Sequence, residues 1–219
     1  MSADDTRLER WRNRTEGPLF VFAVLYLLAW SLLVLVTDLP IEWVITLLIV
    51  IVVTWLSFAV DYVVSVVLAP RRGTYVLTHV PDLLAVILPF LRPVVQLTHI
   101  RSIPYFRRRT GNAQRTRIIL LAASFGAVFV YSIALAVYSV ERNAPGSLMT
   151  SFGDAIWWAF VTIFTVGYGD IYPVTPQGRF YAVLLMLGGI GIIGTASAIV
   201  VSYLNERIRT PRDQGDEEQ

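Results

Sequence analysis

The first apolar run does most to limit how this chain can fold. Residues 19–36 carry no charge. As a helix they extend about 27 Å at 1.5 Å per residue, close to the ~30 Å hydrocarbon thickness of a bilayer. Further runs follow at 41–68, 74–91 (interrupted by Pro81 and Asp82), 118–140 and 178–204, with a less apolar one at 92–106. At 55% hydrophobic, the chain is also more apolar than an ordinary soluble domain. We therefore expect an all-α integral membrane protein.

Arginine placement sets the topology. All 18 basic residues are arginine, which reads first as the genomic composition of a high-GC bacterium. They gather at the N-terminus (Arg7, Arg10, Arg12, Arg14), at Arg71 and Arg72, in the connector from Arg107 to Arg117, and near the C-terminus (Arg207, Arg209, Arg212). With six spans these groups all fall on one side, the cytoplasmic one. The alternate loops carry Asp38, Glu42 and Glu141. Five or seven crossings would spoil this agreement, so residues 151–165 should enter and leave on the outer face. No cleavable signal peptide is evident, and residues 1–18 read as a cytosolic, surface-lying amphipathic helix.

Ser151 followed by Asp154 fits a capping pattern that opens a short helix to about Phe164. Its C-terminal end carries roughly half a negative charge and leaves carbonyls that need partners. The next residues read Thr165, Val166, Gly167, Tyr168, Gly169, Asp170. Glycine at alternate positions suits a tight turn, a catalytic loop or a carbonyl-lined ion path. A cation at the helix end would answer both the dipole and the carbonyls.

The TVGYG string at 165–169, after an apolar helix and between two spans, resembles the filter of six-transmembrane voltage-gated-like potassium channels. The resemblance covers about residues 19–205. It implies a homotetramer in the cell membrane, with cytoplasmic termini and K+ as the permeant ion. Each chain would have a cytosolic N-terminal segment (1–18), a four-helix sensor-like unit (19–106), a linker helix (107–117), a two-helix pore unit with reentrant helix and filter (118–205) and a tail (206–219). Thr165, Val166, Gly167, Tyr168 and Gly169 would coordinate K+, with the Thr165 hydroxyl at the inner site. Trp157 with Asp170, and Trp158 with Tyr168, match positions that brace the filter, and Thr162 matches the pore-helix threonine. Gly189, among four glycines at 188–194, matches a gating hinge; close helix packing is the alternative. The less favoured alternative makes the two tryptophans ordinary interfacial aromatics.

Phe58 and Asp61 on the second span and Asp82 on the third match the family's charge-transfer constellation. A charge inside a span costs about 2.5–3.5 kcal/mol, so Asp61 needs a partner. The fourth span departs from the family pattern. Its every-third register reads Arg92, Val95, Thr98, Arg101, Pro104, Arg107. Two missing charges remove up to about 4.6 kcal/mol per 100 mV from each sensor. A weakly voltage-dependent channel is expected, with Arg92 sitting far out. The alternative is a leak-like channel in which Arg92 and Arg101 are fixed partners of Asp61 and Asp82. His99 reads as a bystander.

Arg107, Arg108 and Arg109 suit anionic lipid headgroups. A single filter repeat argues against a potassium uptake transporter subunit. The chain has no cysteine, two histidines and no phosphate-binding glycine loop followed by Lys. Neither enzymatic activity, a bound cofactor nor a nucleic-acid partner is expected, and the short tail predicts no ligand-gating domain.

Overall fold

The computed structural model describes residues 3–70, 72–98 and 111–209. Their regular elements are all helical: α1 (Ala3–Leu35), α2 (Ile41–Leu68), α3 (Arg72–Thr78), α4 (Val80–Ile87), a 3-10 turn (Pro89–Leu91), α5 (Arg92–Thr98), α6 (Gly111–Glu141), α7 (Phe152–Ile163) and α8 (Pro176–Arg209). Within α1, α2, α6 and α8 lie four stretches long and apolar enough to cross a membrane.

The first difference from expectation is at the N-terminus. The described residues 3–18 do not form a separate surface helix; from Ala3 they are one helix with the first span, running through Pro18. Tertiary bonds hold this extension in place. Trp11 Nε1 donates to Asp61 Oδ1 on α2 at 2.9 Å, and Arg12 Nη1 lies 3.5 Å from His79 Nε2. Leu19 is buried with Phe58.

The third expected span, 74–91, is not one helix. Proline lacks the N–H that would continue an α-helix and disfavours helical backbone in the residue before it. Accordingly the chain breaks at His79 before Pro81 in α4, and again at Leu88 before Pro89. The fourth begins at Arg92 and is described to Thr98; Arg101, Arg107, Arg108, Arg109 and His99 lie outside the described residues. The linker expected at 107–117 is, from Gly111 onward, the first turns of α6.

The densest packing joins α6, α7 and α8. Ile133, Ala134 and Val137 of α6, Ala155 and Ala159 of α7 and Leu185 of α8 are fully buried in one cluster. Gly188 permits it, because a Cβ there would overlap the Phe129 ring. The sensor-like unit rests on this core. Phe90 meets Tyr181 edge-on at 5.1 Å between ring centroids, and Tyr131 donates to Ser31 Oγ at 2.8 Å. Arg142 Nη1 donates to the Val34 carbonyl at 2.5 Å. By contrast, α8 leaves Phe180, Val183, Leu187 and Ile190 exposed, an apolar stripe at helical spacing.

Candidate functional site

The site begins with the cap of α7. Ser151 Oγ accepts from the Asp154 N–H, while Asp154 Oδ2 accepts from the Ser151 and Thr150 N–H groups and the Thr150 hydroxyl. These bonds, the Ser151 N–H first, hold the Asp154 carboxyl below its usual range. The expected capping box is present, and it fixes where the helix starts.

The other end of α7 turns directly into 165–169. Thr165 N–H donates to the Thr162 carbonyl at 3.1 Å. The Val161 carbonyl accepts from both Val166 N–H (3.0 Å) and Gly167 N–H (3.3 Å), so the string is tied back onto the helix. Backbone handedness then alternates: Thr165 has φ 56°, Gly167 62° and Gly169 76°. Such alternation turns successive carbonyls to one side. Left-handed geometry costs glycine little, whereas a β-branched threonine pays about 1–3 kcal/mol for it. Thr165 is the only non-glycine residue at positive φ among those described. Strain held at one end of such a string marks it as more than a turn.

Side chains brace this backbone from the outside. Trp157 Nε1 donates to Asp170 Oδ2 at 2.8 Å, and Asp170 Oδ1 accepts from the Ile171 N–H. The indole bond is the main reason the Asp170 carboxyl lies below its usual range. Tyr168 stacks on Trp157, with centroids 5.8 Å apart and planes at 5°. The expected Tyr168–Trp158 pair is not made within the chain, because Trp158 is buried in the α6–α7–α8 cluster. Thr162 contributes its carbonyl. Val166 and Tyr168 are exposed, as is most of the string.

A further anchor, Glu141, is not marked by any local motif. Glu141, at the end of α6, has no exposed surface. Its carboxylate accepts from Val174 N–H (3.1 Å), Thr175 N–H (2.8 Å) and the Thr175 hydroxyl (2.7 Å). Thr175 in turn accepts from Gly178 N–H at 2.9 Å, at the start of α8. Glu141 thus clamps the segment that leads from the filter-like string into α8. A Cβ at Gly178 would overlap the carboxylate. An acid ending an apolar run was a visible signal, but its partners lie more than thirty residues away.

Gly189 lies against the end of α7, where a Cβ would stand 3.2 Å from Ile163 Cγ1. At that position α8 is one unbroken helix, and both Gly188 and Gly189 act there as close-packing residues.

In the sensor-like unit, Phe58 (1% exposed) and Arg92 (4%) are buried together. The Arg92 guanidinium carbon sits 4.4 Å from the Phe58 ring centroid, and Nη2 donates to the Phe58 carbonyl at 3.0 Å. A cation over an aromatic face is favourable, more so when desolvated. Arg92 therefore does not sit far out; it occupies the aromatic position itself. Asp61, Asp82, Glu16, Arg12 and Arg92 line one cavity of about 30 Å³, room for a water or two. Asp61 lies about 30 Å along α2 from Ile41, towards its C-terminal end.

Residues 118–206 match the family described as "Ion channel". The chain is 40% identical over 93 residues to the mouse potassium voltage-gated channel subfamily V member 2, covering 42% of this chain and 16% of that protein. It is 47% identical over 79 residues to a voltage-gated potassium channel of Aeropyrum pernix, covering 33% of this chain and 27% of the relative. It is 36% identical over 106 residues to a cyclic nucleotide-gated potassium channel of Mesorhizobium japonicum, covering 48% and 29%. The chain thus spans less than a third of the length of these relatives. Over the part compared, the chain is thus similar to proteins named as potassium channels, and residues 118–206 match an ion-channel family.

Proposed function

We propose that the chain forms a potassium-selective channel that conducts K+ passively across the cell membrane. The observation that carries this is the alternating backbone of 165–169, set at the C-terminal end of a capped helix and braced by Trp157. Carbonyls on one side of such a string replace the hydration shell of a dehydrated cation. Thr165, Val166, Gly167, Tyr168 and Gly169 are the coordinating residues, and no resident cofactor takes part. One chain gives one wall, so four copies close the path. The exposed string and the exposed stripe of α8 are the surfaces those copies would cover. Both termini are cytoplasmic, residues 118–205 are the pore unit, and Gly189 is the hinge when the pore opens.

Gating is weakly voltage-dependent. Arg92 on Phe58, sharing a cavity with Asp61 and Asp82, is the charge the field acts on. One charge crossing the full potential contributes about 2.3 kcal/mol per 100 mV, a shallow response. The competing leak-like reading draws on the same contacts, because Arg92 is also held like a fixed partner. Single-channel recording over a voltage series separates them. An open probability that changes with voltage, and becomes flatter in Arg92→Gln, supports sensing. A flat one supports the leak. For conduction itself, K+-loaded proteoliposomes should release K+ while Na+-loaded ones hold Na+, and Gly167→Ala should stop the K+ flux. Equal release of both ions would overturn the proposal.

A further inference from the structure

Arg107, Arg108 and Arg109, which suit lipid headgroups, lie outside the described residues, yet the described part of the chain builds a basic site of its own. Arg7, Arg10, Trp11 and Arg14 recur at three- and four-residue spacing on α1 and share one face. That face meets the C-terminal end of α2. A groove of about 540 Å³ there is lined by Arg7, Leu68 and Arg72 with the apolar residues around them. A second, of about 210 Å³, is lined by Arg7, Arg10, Trp11, Arg14 and Leu68. Arg7 and Leu68 border both, so the two grooves adjoin. None of the described residues lining either is acidic. Glu16 instead faces the sensor cavity with Arg12, on another side of α1.

Depth within the membrane suits a lipid. The 28 residues of α2 extend about 42 Å, whereas the hydrocarbon core takes about 30 Å of a bilayer that is 40–45 Å thick with headgroups. With that excess shared between its two ends, the last turn of α2 lies among headgroups. Trp11 is the kind of residue that settles at that level. Guanidinium groups bind phosphate oxygens in pairs, and Leu68 offers an apolar wall beside them.

We propose that this trough binds one anionic phospholipid of the inner leaflet. Its phosphate lies between Arg7, Arg14 and Arg72, and its glycerol backbone rests on Leu68. The site rests on the membrane orientation given above but not on conduction, so the two can fail separately.

The test uses the purified full chain in detergent, titrated with phosphatidylglycerol or phosphatidylcholine and weighed by native mass spectrometry. Wild type and Arg179→Gln should retain phosphatidylglycerol in preference to phosphatidylcholine. The triple variant Arg7→Gln, Arg10→Gln, Arg14→Gln should bind it about a hundredfold more weakly. Should the triple variant fail to fold, Arg72→Gln on the opposite wall should show the same direction of change. Unchanged phosphatidylglycerol binding in whichever of these variants folds would overturn the site. Displacement of the lipid by millimolar inorganic phosphate, with the same arginine dependence, would also overturn it, since the occupant would then be a free anion. A K+ flux assay on the same protein reports separately on the channel.

Discussion

Replacing Glu141 by alanine should loosen the exit of the filter segment. The carboxylate accepts three hydrogen bonds, two from the backbone at Val174 and Thr175 and one from the Thr175 hydroxyl. Alanine leaves both N–H groups without that acceptor, at about 1–3 kcal/mol each where water cannot replace it. Release of a buried charge offsets part of this. A net loss of about 2–4 kcal/mol follows, on the order of 10 °C in melting temperature for a chain of this size. Glu141→Gln should fall between alanine and wild type. One oxygen can still serve Thr175, but the new amide would face the Val174 N–H donor. Thermal unfolding of the purified protein, followed by tryptophan fluorescence, gives the order. A double-mutant cycle with Thr175→Val should return a coupling of about 1 kcal/mol or more. If Glu141→Ala melts within about 1 °C of wild type, the clamp carries no weight and the reasoning fails.

Trp157→Phe keeps a ring for Tyr168 but removes the donor to Asp170. The lowered Asp170 pKa means its support is present above the usual carboxylate range and lost as pH falls through the folded value. Conduction in Trp157→Phe should therefore fail at a higher pH than in wild type, and coincident acid limbs would contradict this. Gly188→Ala should destabilise the protein through the Phe129 ring, whereas Gly191→Ala, with open space at its Cβ, should not; equal melting of the two would argue against the packing described. Because the chain has no cysteine, Ser31→Cys with Tyr131→Cys should be joined within one chain by a short bis-maleimide, which spans the gap left by the tyrosine ring. Cross-linked dimers on a non-reducing gel would instead mean that the sensor-like unit docks on another chain's α6.

Legibility in the sequence followed the range of each interaction. The α7 cap was readable because Ser151 and Asp154 are three residues apart. The 165–169 string was readable because alternating handedness is a local demand that glycine answers, although a left-handed Thr165 was not foreseen. Glu141 was read only as outer-loop charge, since the groups it binds are distant in sequence. The dense, mixed charge of residues 1–18 reads as a separate surface helix. Trp11 on Asp61 and Leu19 beside Phe58 hold the helix continuous instead, and those contacts come from α2. The third span was legible as apolar sequence but not as separate short helices, although Pro81 and Pro89 carried the signal. For Arg92, register gives spacing along a helix but not depth against Phe58.

The central claim is that four copies of 165–169 select K+. Its most direct test is the reversal potential of the purified protein in planar bilayers, with K+ on one side and Na+ on the other at matched concentration, then with a tenfold K+ gradient. The account predicts a strongly K+-selective value in the first case and one near the K+ equilibrium potential, about 59 mV in magnitude, in the second. A reversal potential near zero with K+ opposite Na+ would contradict it.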